Sequence, residues 1–170
     1  MPYFLLMITE RKWDRIFEPW LNPQDIPADP LGDLKTDGNS LSIWQIEDDK
    51  SNLEYILVGL IANRAKIDKL EYGLFNPQVP NNLGIYVDDK ELGKLPIPEI
   101  NGFHRNLTLL SADKLTELAK SIFPVISRER IYKEQAIEKI LYAYNHGTLH
   151  SDRLNKAMKA EINKLLIPAT

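Results

Sequence analysis

With 170 residues and a net charge of -3, the chain is long enough for one full-sized core and too weakly charged to require a highly charged partner. Apolar residues make up 44% and charged residues 26%, the balance of an ordinary soluble globular protein, with no low-complexity tract and no internal repeat. Having no cysteine, the sequence excludes disulfides, cysteine-ligated zinc, iron–sulfur clusters and thiol nucleophiles.

Tyr3 to Thr9 reads as a buried strand. It has no basic leader, is too short for a signal core and runs into Glu10-Arg11-Lys12, so it does not read as a secretory signal. No segment approaches the roughly eighteen apolar residues of a membrane span, and a cytoplasmic location away from membranes is expected. Thr9 is placed to cap a short helix from Glu10 to about Glu18, closed by Pro19. Trp13, Phe17 and Trp20 fall within eight residues. They read as a plug for one end of the core or, alternatively, as an aromatic anchor for a partner protein.

Prolines at 23, 27 and 30 forbid helix and internal strand and predict a surface loop over 22–30. Aspartates at 25, 29, 33 and 37 suggest calcium, but in a calcium loop starting at Asp33 a ligand position holds Lys35, and Trp44 replaces the bidentate glutamate. Thr36 to Ser40 carries the Asp-Gly signal of a hairpin turn between Asp33–Lys35 and a strand from Leu41.

Leu41 to Phe75 forms the central unit, read as strand, helix, strand. In Leu41 to Glu47, Trp44 and Ile46 point opposite to Leu41 and Ile43, so both faces are covered and the strand lies near the sheet centre. Ser51 and Glu54 have capping-box spacing, which predicts a helix from Ser51 to Lys66. Leu53, Ile56, Leu57, Leu60 and Ile61 mark its buried face, widened by Val58, Ala62 and Ala65. Gly59 in mid-helix costs roughly 1 kcal/mol relative to alanine and predicts close approach of another helix. Leu70, Tyr72 and Leu74 alternate with Lys69, Glu71 and Gly73, a strand with one wetter face suited to a two-layer sheet. The two strands either pair in parallel through a right-handed crossover or lie apart in a mixed sheet.

Proline, glycine and asparagine dominate 76–102, around a strand at Leu83 to Val87, a turn at Asp88-Asp89-Lys90 and a return strand at Glu91 to Leu95. Asn106 to Leu110 is the last predicted strand. Ser111 caps a helix to about Phe123, closed by Pro124. Two helices follow, from Ser127 to about Asn145 and from about Ser151 to Leu166, with Gly147 between them. The fold class is α+β: a mixed or mainly antiparallel sheet, a buried central helix at about 51–66 and a C-terminal helical hairpin. Residues 1–124 form the core domain and 125–170 the hairpin, packed on it at Gly59 as one compact unit.

The histidines lie at 104, 146 and 150. His146 and His150 have the spacing of two metal ligands on a helix, with Asp152 nearby, but Gly147 breaks the helix and no His-Glu-x-x-His base is present. As polar turn residues they make no site, and neither metal nor other cofactor is expected. Folded together with His104 and Arg105, they become the candidate catalytic set of a metal-dependent hydrolase or nuclease-like enzyme. No phosphate-binding glycine loop and no Gly-x-Ser-x-Gly elbow occurs. Residues 127–170 hold eight basic and five acidic side chains, which makes Arg128, Arg130, Lys156 and Lys159 candidate phosphate contacts, although Glu134 and Glu138 interrupt the basic face. The leading expectation is a non-catalytic cytoplasmic interaction or regulatory protein with a protein partner, ahead of the metal-dependent enzyme and the nucleic-acid binder. Oligomeric state has no sequence signal.

Overall fold

The computed structural model describes residues 1–14, 21–22 and 25–166. Six strands are seen among them: β1 (Tyr3–Met7), β2 (Leu41–Ile46), β3 (Leu70–Phe75), β4 (Tyr86–Asp88), β5 (His104–Thr108) and β6 (Ser127–Ile131). They form one antiparallel sheet in the order β4-β5-β2-β1-β3-β6. The helices are α1 (Leu53–Ala62), α2 (Gln78–Asn82), α3 (Ala112–Ile122), α4 (Lys133–Asn145) and α5 (Lys156–Leu166), with 3-10 turns at Glu10–Trp13, Asp29–Asp33, Pro98–Phe103 and Ser151–Arg153. No helix of the described residues is long and apolar enough to cross a membrane.

β1 pairs with both β2 and β3 and lies between them. The two outer strands therefore run parallel without touching, and α1 connects them across β1. Of the two arrangements open from the sequence, the non-adjacent one forms. Register then divides the side chains between two faces, because neighbours in a strand point opposite ways. Leu5, opposite Trp44 and Leu74, belongs to a core built with Ile56 and Ile61 of α1, Ile140 of α4 and Met158 of α5. Phe4, opposite Phe75, belongs to a second core with Trp13, Leu118 and Ile122. Each fully enclosed aliphatic side chain contributes roughly 1.5–3 kcal/mol. Both faces of the sheet are thus covered, where alternation in β3 predicted a single covered face. All six residues of β3 are buried, Glu71 included.

Long-range contacts move several predicted boundaries. α1 starts at Leu53 without the capping box: Ser51 donates instead to the Glu47 carboxylate. Buried Asn52 accepts from the Glu47 N–H (2.9 Å) and donates to the Gln45 carbonyl (3.1 Å), tying the helix start to the end of β2. The helix ends at Ala62, leaving Ala65 and Lys66 exposed. Gly59 faces a loop rather than a helix, since a Cβ there would lie 3.0 Å from a methyl carbon of Leu95 and of Ile100. α4 reaches α1 at a different point, where Lys139 pairs with Glu54 at 2.7 Å.

Ser127 opens β6, an edge strand, and not a helix. Its Ser-Arg-Glu-Arg sequence lacks the apolar alternation of a strand because an edge tolerates charge, which also discourages pairing with other chains. α4 begins only at Lys133, where the Gln135 side chain accepts the Tyr132 N–H at 2.9 Å, and Gly147 at φ 77° follows its end. α5 starts at Lys156 after a 3-10 turn. Asp33 to Lys35 and Glu91 to Leu95 are not strands, although the turn between Asp37 and Ser40 forms, with Gly38 and Asn39 at φ 56° and 60°. The strand expected at Leu83 to Val87 forms only as β4, shifted to Tyr86–Asp88, because Leu83 and Gly84 turn out of the unforeseen α2. Ser111 caps α3 as expected, its hydroxyl accepting from the Lys114 N–H. Beyond Trp13 the helix expected to reach Glu18 lies outside the described residues, apart from Asp14, which is already extended.

Candidate functional site

Near one end of the sheet, three polar side chains, Ser42, His104 and Asn106, interrupt the α1-side face of β2 and β5. Ser42 stands opposite Asn106, and Trp44 opposite His104. They open into a cleft of about 410 Å³ walled by Leu60 of α1, Asn63 just past its end, Lys35, and the loop Glu91–Leu95. A second lobe of about 370 Å³ extends toward Thr9 and Asp33, sharing Lys35, Ser42, Trp44 and Leu60.

His104 is buried, with its ring edge-on to Trp44 at 5.2 Å between centroids. Its Nδ1 lies 2.9 Å from the Glu91 backbone carbonyl and its Nε2 2.7 Å from Ser42 Oγ. A carbonyl only accepts, so Nδ1 carries the proton, and in the neutral ring Nε2 accepts from the Ser42 hydroxyl. The carbonyl is held in place by Asn101, whose backbone carbonyl accepts from the Gly93 N–H (2.9 Å) and whose side chain bonds both the N–H and the carbonyl of Leu95. Asn106, also buried, donates to the Glu91 carboxylate at 3.0 Å. Ser42 is exposed to the cleft, and the neighbouring Ser40 Oγ is buried without a hydrogen-bond partner among the described residues. The arrangement presents a hydroxyl with an oriented acceptor for its proton.

A second groove, of about 490 Å³, lies between the start of α1, the 97–103 segment and the turn after α4. Half-buried Phe103 and half-exposed Tyr55 supply apolar surface above the buried Ile97 and Ile100, and Glu47 and Glu99 supply carboxylates. His150 lines this groove.

The histidines predicted to converge are therefore divided. His104 lines the first cleft, His150 the second groove, and exposed His146 stacks on Tyr142 while its Nδ1 meets the Tyr142 carbonyl at 2.8 Å. Arg105 donates to the Gly102 and His104 carbonyls, both at 2.7 Å, and Asp152 is exposed in a 3-10 turn. Among the described residues, no group of three His, Cys, Asp or Glu side chains is arranged to hold a metal ion. The four basic candidates are likewise split. Arg128 pairs with Asp14 and donates to the Trp13 carbonyl, and Arg130 bridges Glu10 (2.5 Å) and Glu71 (2.9 Å). Lys156 and Lys159 lie on α5, whose Met158 and Ile162 pack into the opposite core.

Trp13 is 1% exposed, stacked on Phe123, with its indole N–H donating to Asp33 at 3.0 Å. It is a core residue and offers no surface to a partner; Phe17 and Trp20 lie outside the described residues. Asp33 also accepts from the Thr9 N–H (2.6 Å), the Thr9 hydroxyl (3.1 Å) and Lys12 (2.9 Å). Burial raises the Asp33 pKa, but these donors outweigh it and hold the carboxyl below its ordinary value. On the other core, burial foremost, with Glu129 and Glu54 adding to it, pushes the Tyr72 phenol up to about 12.

Sequence reasoning named His104 but missed Ser42, Glu91 and Asn106. A usable signal was present in β2, where Ser-x-Trp puts a polar group at an inward position of an apolar strand; His-x-Asn, in the polar strand β5, gave none. No protein-family model matches the chain, and neither does any curated protein or solved structure.

Proposed function

We propose that the chain is a cytoplasmic interaction protein that docks a basic, partly apolar segment of a partner protein in the groove beside Tyr55. The observation that carries this reading is the pairing of half-exposed Tyr55 and half-buried Phe103 with the carboxylates of Glu47 and Glu99 along one groove, floored by the buried Ile97 and Ile100. Lysine and arginine match that combination, because their aliphatic stems pack on apolar surface while the charged head meets an acid. Asp48 and Asp49, exposed next to Glu47, extend the acidic edge. Half-exposed Tyr55 is the amphipathic side chain most common at the energetic centre of interfaces.

Titration of labelled protein with a set of short lysine- and arginine-containing leucine peptides, followed by NMR, tests the reading. Resonances of Tyr55, Phe103 and His150 should move, and Glu47→Gln with Glu99→Gln should weaken binding about tenfold or more. Peptides that bind elsewhere, or with unchanged affinity in the double variant, would refute it.

A further inference from the structure

Independently of that groove, we infer that the Ser42–His104 pair is a nucleophile and general base for acyl transfer, acting on small carboxylic esters in the first cleft. Three observations converge. The Ser42 hydroxyl is exposed to a cleft and hydrogen-bonded to His104 Nε2 at 2.7 Å, within reach for direct proton transfer. The Glu91 carbonyl at 2.9 Å fixes the tautomer and orientation of the ring, as the third member of a nucleophile–base–orienter set does. Lys35 lines both lobes and adds a positive charge to the cleft, while Trp44 and Leu60 give the acyl group an apolar wall.

The chemistry balances with water as the only co-reactant. Ser42 Oγ forms a bond to the ester carbonyl carbon as its proton passes to His104 Nε2. The carbon–alkoxy bond then breaks, and the alcohol leaves with that proton. Water attacks the resulting acyl-serine, giving one proton to His104; cleavage of the acyl bond frees the acid, and His104 returns the proton to Ser42. None of this requires a glycine-flanked serine elbow, because strand pairing itself sets the serine beside the histidine.

The test is to treat the purified chain with a fluorophosphonate probe and locate the adduct by peptide mass spectrometry, with p-nitrophenyl acetate as a turnover substrate. Ser42 should carry the label, and Ser42→Ala should carry none at that peptide. His104→Gln, which can keep both hydrogen bonds, should slow labelling at least about 100-fold. A folded protein unlabelled at Ser42, or labelled equally fast in His104→Gln, overturns the inference. Should that variant fail to fold, labelling of the wild type in deuterium oxide decides: a rate unchanged by the solvent, with no proton moving in the step, overturns it equally. Peptide binding in the other groove touches none of these residues, so the two readings fail separately.

Discussion

Two polar clusters show opposite uses of buried hydrogen bonding. Around Asp33, one carboxylate takes donors from Thr9, Lys12 and Trp13, and its capacity is filled within the chain. Around His104, the ring is fixed on one side but bonded on the other to an exposed serine, and among the described residues the nearby Ser40 Oγ has no partner. A filled cluster fastens the chain: here it pins the segment after β1 to the turn before β2. An under-filled one keeps a reactive group within reach of a ligand, and its retention is weaker evidence of a purely structural task.

The contrast is most strongly tested at Asp33. Asp33→Ala should lower the unfolding free energy by about 3 kcal/mol in urea titration, because Lys12 and the Trp13 N–H would lose a charged acceptor. A loss below about 1 kcal/mol would remove the distinction between the two clusters. Acid should act in the same direction. Burial works against ionisation of both Asp33 and Glu71, but Thr9, Lys12 and Trp13 around the first, and Lys69, Glu10 and Arg130 around the second, leave each pKa lowered. A carboxyl lowered in the folded state stabilises fully above its unfolded pKa and loses that contribution as pH falls through the folded one. Melting temperature should therefore decline as pH drops below the unfolded values of 3.8 for Asp33 and 4.5 for Glu71, and more shallowly in Asp33→Ala. The smallest effect is expected at Ser40. Ser40→Ala removes a buried hydroxyl with no partner among the described residues, so stability should stay within about 1 kcal/mol of wild type or rise.

Legibility in the sequence followed the range of the interactions. Ser111 was readable as a cap because the N–H it accepts lies three residues on. Ser51 was misread by the same rule, because Glu47 and Asn52 offered competing partners that join the helix to β2. β6 was taken for helix, since its neighbour β3 supplies the pairing and its own residues supply only charge. The candidate site was half visible: His104 stood out by residue type, while Ser42 is one of many serines until β5 lies beside it.

By itself the sequence determined what depends on near neighbours: an α+β chain, the buried strands β1 and β2, the helix between β2 and β3, the cap of α3 and the stop at Gly147. Local hydrogen bonds and the two- and four-residue periods act within a few residues, so they can be read in order. Tertiary structure alone decided the β1 insertion between β2 and β3, the second covered face, the separation of the histidines and the meeting of Ser42 with His104 across 62 residues. Strand register places those groups, and register is a property of paired segments rather than of either one.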